Sequence, residues 1–171
     1  DHMPLSLSIL FLSAAILSFE IVVIRVLAVS HWQPFVTLAI STALLGYGLS
    51  GSVLVRVREH AFRARHILYP VLSASAALIF GSGLKLDPGL IIRDPAQWVR
   101  VSVLIAVLTL PFILASGALA LPLLERASVG RYYGQNFTGA ALGVVAVAAA
   151  MGRLDTAGLP LVPSVFAWLA F

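Results

Sequence analysis

Ser18-Phe19-Glu20-Ile21-Val22-Val23-Ile24-Arg25-Val26-Leu27 sets a carboxylate and a guanidinium inside an apolar run, and the way those two charges are answered decides the fold. From Pro4 to Val29 the chain carries no other charge. A run of roughly 20 apolar residues, each rising about 1.5 Å in a helix, crosses a hydrocarbon core of about 30 Å. A charge near the middle of such a helix costs on the order of 2.5–3.5 kcal/mol on insertion scales, so it faces a partner or a water-filled cavity. Glu20 and Arg25 are poorly placed for each other: five positions at about 100° each leave them roughly 140° apart, whereas an in-helix pair needs a spacing of three or four. Neighbouring helices are therefore expected to supply the contacts. Glu20 shares a stripe with Ser13 and Ser6, and Arg25 follows Ser18 by seven residues, so two faces of this helix are expected to meet protein. Two readings stand. Either the charges pin helices together, or Glu20 holds a cationic amine or a proton at membrane depth.

Composition points the same way. Of 171 residues 60% are hydrophobic and only 11% charged, against about a quarter charged in soluble domains, which makes the chain an integral membrane protein. Its net charge of +4 sits in short loops between apolar spans, where basic residues set orientation, so nucleic acid is not expected as a partner. Without cysteine there is no disulfide, thiolate nucleophile or Cys-ligated metal. Asp1-His2-Met3 reads as a cloning remnant before a native start, and the first apolar run, too long for a signal-peptide core and lacking a basic leader, as a retained span.

Beyond the turn Ser30-His31-Trp32-Gln33-Pro34, a second helix is expected over 35–55. Its Thr42, Gly46 and Ser50, at intervals of four, form a small-residue face that admits another backbone. His31, with no second ligand nearby, makes no metal site. Gly46-Tyr47-Gly48-Leu49-Ser50-Gly51 spells GxGxxG, but a dinucleotide site needs a strand before it and an acidic residue about 20 positions later; here the glycines lie in a helical run and belong to packing. Arg56, Arg58, Arg63 and Arg65 make the densest basic loop, which is expected to be cytoplasmic and is placed to hold anionic lipid head groups.

A third span is expected over 67–84. A turn-rich outer loop follows, where Asp87 and Asp94 lack the fixed separation that paired acids need. A fourth span, 98–124, contains Pro111, which frees a carbonyl one turn earlier and predicts a kink. A fifth, 134–151, opens with Asn136, able to cap or to bond across the bundle, and carries the GxxxG pair Gly139 and Gly143. The last apolar run, 158–171, is about 14 residues or roughly 21 Å of helix, short for a crossing, and reads as cut.

Phe19 to Leu27 resembles the Y-E-I-V-W-T-R-L-L pattern of the spermidine synthase-like integral membrane proteins, with Phe19 for Tyr and Ile24 for Thr among its departures. Arg131-Tyr132-Tyr133-Gly134-Gln135-Asn136-Phe137-Thr138-Gly139-Ala140-Ala141-Leu142-Gly143 is similar to that family's R-L-Y-x-x-N-x-x-G-A-x-x-G, and Pro111 to Pro122 with Gly117 is similar in content to the helix before it. The resemblance implies a transmembrane bundle joined to a cytosolic aminopropyltransferase-type domain that binds a decarboxylated S-adenosylmethionine donor and a polyamine. None of that domain's residues lies in this chain, so no catalytic residue is carried over and no cofactor or metal is expected.

The expectation is an all-α polytopic transmembrane helix bundle of about six spans, the last truncated, as a single domain over 4–171 with a cytoplasmic N-terminus in a bacterial inner membrane. Its expected partners are membrane lipids, a soluble synthase-like domain or subunit on the cytoplasmic side, and a second copy in a homodimer. Three functions compete: the membrane module of such a protein, admitting a polyamine near Glu20; a small polyamine or cation transporter working as an oligomer; and a non-catalytic membrane assembly subunit.

Overall fold

The computed structural model describes residues 5–30, 33–61, 94–124 and 129–170, and these form an all-α bundle. In chain order the helices are α1 (Leu5–Ser30), α2 (Gln33–Ala61), α3 (Pro95–Leu124), α4 (Val129–Met151) and α5 (Leu161–Leu169). The span expected over 67–84 lies outside the described residues.

Among the described residues three helices are long and apolar enough to cross a membrane, through Leu7–Val29, Pro95–Ala120 and Val129–Met151. A polytopic helical bundle is thereby supported; the expected count of six includes the span outside the described residues. In α2 the apolar part is confined to Val36–Ser52. The nine residues of α5 rise only about 14 Å, less than half a hydrocarbon core.

Helix ends depart from the apolar boundaries for a local reason. At α2 the helix continues through Arg56 and Arg58 to Ala61, because Arg and Glu are good helix formers even where they are too polar for lipid. At α3 the start moves back to Pro95, with Asp94 Oδ1 accepting the Ala96 N–H at 2.9 Å, an N-cap followed by proline at the first helical position. Asp94 is thus a cap. The helix runs without interruption through Pro111, which is buried.

The bundle is built on α1, which touches each of the other four helices and meets α4 most extensively. Of its most apolar stretch 56% is buried, against 17% for α4, so α1 is central and α4 peripheral. Across from α4, helices α2 and α3 pack mainly on each other while sharing α1. Gly139 lies against Leu10 and Gly143 against Ala14, so α1 and α4 run parallel. The core joins Leu12, Phe19, Val22 and Val23 of α1 to Leu104, Leu108 and Phe112 of α3 and Val147 of α4. Its aromatic centre is Phe112, whose ring centroid lies 5.3 Å from that of Phe19 and 5.6 Å from that of Tyr47, the latter edge-on. Outward-facing Leu44, Leu110, Leu142 and Val145 are exposed, an unfavourable surface in water and a favourable one against acyl chains.

Several hydroxyls inside the spans are satisfied within their own helices. Ser18 donates to Ala15 O at 2.9 Å, Thr42 to Ala39 O at 2.7 Å, Ser50 to Tyr47 O at 2.8 Å and Thr109 to Ile105 O at 2.7 Å. With no water to hydrogen-bond them, these protons go to carbonyls three or four residues back.

Candidate functional site

Two interfaces on α1 bring the chemistry-bearing residues together. The first is the seam with α4. A Cβ added at Gly139 would overlap the Leu10 carbonyl and one at Gly143 the Ala14 carbonyl, so the two backbones touch where no side chain intervenes. Beside them Ser13 bridges the helices. Its hydroxyl lies 2.8 Å from Ile9 O and 2.6 Å from Asn136 Oδ1, and its single proton serves both acceptors.

The second interface joins α1 to α2. Tyr47 donates its phenolic proton to Glu20 Oε2 at 3.3 Å, with Glu20 only partly buried. Helix geometry makes this contact. α2 begins soon after α1 ends and packs back against it, so the two run in opposite directions, and Cα–Cβ bonds tilt toward each helix's N-terminus. Glu20 therefore leans inward along α1 and Tyr47 leans outward along α2, each toward the other. The Tyr47 ring is held against Phe112 of α3, which fixes the hydroxyl.

Ser13 and Glu20 lie on one stripe of α1, as does Ile9, four residues before Ser13. Beside Ile9 opens a cavity of about 220 Å³ between α1, α2, α3 and α4. Its lining is mostly apolar: Ile9, Leu119, Ala120 and the rings of Tyr47, Tyr132 and Tyr133 form it, with Ser116 and Asn136 among them. Ser116 donates to Phe112 O at 2.6 Å, which spends its proton within α3. Gln135 Oε1, one residue from Asn136, is buried with no hydrogen-bond partner among the described residues.

Arg25 is placed differently. It is exposed, and no hydrogen bond or ion pair reaches it among the described residues. Five residues, or about 7.5 Å, separate it from Ser30 at the end of α1, within reach of the interface for a long cationic side chain. Glu20 lies ten residues, or about 15 Å, from the same end, near the midpoint of the helix. The two charges thus meet different surroundings.

Gly46 faces α3, where an added Cβ would overlap Phe112 Cβ and lie 3.1 Å from Thr109 O. Ser50, one turn on, is buried with Thr42 on the same face. At Gly48 and Gly51 of the same glycine cluster an added Cβ would meet nothing within 4 Å among the described residues. Arg56 and Arg58 lie in the last turns of α2, and Arg63 and Arg65 outside the described residues.

The reading of the sequence passed over the tyrosines of the wall. Tyr47 carried a signal: a phenol deep in a span, away from the interfacial belts where Tyr is usual, needs a hydrogen-bond partner at that depth. Tyr132 and Tyr133 stand at a helix start where an interfacial position explains them equally well, and Ser116 is one of many serines in the spans. What the arrangement offers chemically is one half-buried carboxylate, and a mostly apolar, tyrosine-lined cavity that shares Tyr47 with it. The chain is an all-α, polytopic integral membrane protein, and no protein family, curated protein or solved structure matches it.

Proposed function

We propose that the chain is the membrane module of a spermidine synthase-like integral membrane protein. It anchors an aminopropyltransferase-type domain on the cytoplasmic side of a bacterial inner membrane and admits a cationic amine near Glu20. The observation that carries this reading is the shared interface of the two stretches that resemble the family. One stretch lies on α1 and the other on α4, the most extensive helix pair of the bundle. Asn136, Gly139 and Gly143, at the family-like positions of the second stretch, all serve that pairing. Their spacing then reflects a scaffold, in which a polar bond and two backbone contacts set how α4 lies on α1. Arg56, Arg58, Arg63 and Arg65 fit a cytoplasmic, lipid-facing edge, since each basic residue near an anionic surface contributes about 1 kcal/mol.

Reading the gene past the codon for Phe171 tests this. A frame that continues into a strand-rich soluble region with a glycine-rich loop is the expected result, and a stop codon at that point removes the reading.

A second reading, a polyamine or cation carrier working as an oligomer, is favoured by the Glu20 carboxylate near the midpoint of α1, whose hydrogen-bond partner Tyr47 lines a cavity. Uptake of labelled polyamine into vesicles containing the protein, lost on Glu20→Gln, is what that reading requires. Flux unchanged by the substitution excludes it.

A further inference from the structure

The cavity beside Ile9 is drawn out along the bundle axis, and one end of it lies level with basic residues. Phe112 packs on Phe19, and Leu119 and Ile9 line the same space, so α3 runs opposite to α1 and ends beside its start. Because α4 runs parallel to α1 and α2 runs opposite to it, the start of α4 and the end of α2 come to that same end of the bundle. Counted from those helix ends at about 1.5 Å per residue, Tyr132 lies about 4.5 Å along α4, Ala120 about 6 Å and Ser116 about 12 Å along α3, and Tyr47 about 21 Å along α2. A volume of about 220 Å³ spread over such depths is a slot that begins near the membrane surface.

The walls of the slot suit hydrocarbon. Ile9, Leu119, Ala120 and three tyrosine rings form most of them, while Ser116 gives its proton to Phe112 O and Tyr47 gives its own to Glu20 Oε2. At the shallow end the lip is aromatic. Tyr133 is 48% exposed and stacks on Phe137, which is 68% exposed, with ring centroids 6.4 Å apart. Tyrosine is at home at this level of a membrane, with its ring against acyl chains and its hydroxyl among head groups. Arg131 adjoins Tyr132 and is exposed, and Arg58 and Arg56 lie three and five residues before the end of α2 at the same end of the bundle. A positive mouth above an apolar slot is the complement of a negative head on a hydrocarbon tail.

We propose that the cavity seats one acyl chain of an anionic phospholipid, with its phosphate at the mouth on Arg131 and with Arg56 and Arg58 adding to the positive field there. A zwitterionic lipid brings the same tail, but its ammonium offsets the attraction. A free phosphate brings the charge without the tail. The site stands apart from the module reading: a stop codon after Phe171 removes the module and leaves the lipid site, and failure of the lipid site leaves the module.

Native mass spectrometry tests this on the whole chain, released from detergent micelles that contain dioleoyl phosphatidylglycerol or dioleoyl phosphatidylcholine at equal concentration. One phosphatidylglycerol retained per chain, at least fivefold over phosphatidylcholine, is the expected result. Leu119→Trp fills the slot from α3 and lowers retention at least tenfold, and Ala120→Leu, a smaller intrusion, lowers it a few-fold and serves where the tryptophan variant does not fold. Leu110→Trp adds the same bulk at an outward position of the same helix and leaves retention unchanged. Arg131→Gln brings phosphatidylglycerol down to the level of phosphatidylcholine. Unchanged retention in whichever cavity-filling variant folds overturns the proposal, because the lipid then sits on the outer surface. An equal loss in Leu110→Trp, equal retention of the two lipids, or no effect of Arg131→Gln overturns it as well.

Discussion

The two glycine clusters of this bundle look alike in sequence and behave differently in space. In α4, Gly139 and Gly143 both lie against the backbone of α1, whereas in α2 only Gly46 is in close contact and Gly48 and Gly51 are open among the described residues. The difference is one of period. Glycines four apart return to the same helix face, so both reach one partner. Gly46 and Gly48 are about 200° apart, and a single neighbour cannot cover both. A small residue becomes a contact only when its spacing keeps it on the covered face.

Substitutions sharpen this contrast. The largest loss is expected from Gly139→Ala combined with Gly143→Ala: each new Cβ meets a main-chain carbonyl of α1, which cannot rotate away, so the helices must separate. A cost of about 3 kcal/mol or more, read from reversible unfolding in mixed micelles, is expected. Gly46→Ala comes next at roughly 1–2 kcal/mol, because the overlap is chiefly with Phe112 Cβ and α2 can shift outward. If it costs as much as the α4 pair, the two seams are equally rigid and the contrast fails.

The polar contacts rank lower. Tyr47→Phe leaves Glu20 without its only donor among the described residues and is expected to cost about 1 kcal/mol. A double-mutant cycle of Ser13→Ala and Asn136→Ala is expected to show a coupling of roughly 0.6 kcal/mol, in keeping with interhelical hydrogen bonds in membranes. Gly48→Ala and Gly51→Ala stand at the small end, with no loss and a gain of roughly 0.4 kcal/mol or less. Destabilisation by either places a covering element on that face of α2.

How far the sequence reached follows from what hydrophobicity measures. The cores of α1, α3 and α4 were legible because more than 20 apolar residues have few solutions other than a membrane helix. Helix ends were not. Lipid stops where charge begins, but the helix continues through Arg56 and Arg58 to Ala61, and α4 starts at Val129, five residues before the span expected from 134. Within the site, the rule that a charge at membrane depth needs company pointed at Glu20, yet the residue to answer it lay beyond pattern reading. Counting equal distances from the ends of α1 and α2 leads from Glu20 to Ala43, and the partner is Tyr47, one turn farther, whose length and tilt close the gap. Arg25 drew the same expectation on charge alone. Its position near the end of α1 lets a long side chain reach polar surroundings, a matter of depth that a count of charges does not weigh.

The pairing of the first helix with the fourth has a bearing on biosynthesis. Ser13 and the amide that receives its proton are 123 residues apart, and at a translation rate of about 5–20 residues per second that interval lasts roughly 6–25 s. For that time the nascent leading segment sits in the bilayer with its glycine-facing groove vacant, so lipid or an insertion factor must shelter it until the later helix arrives.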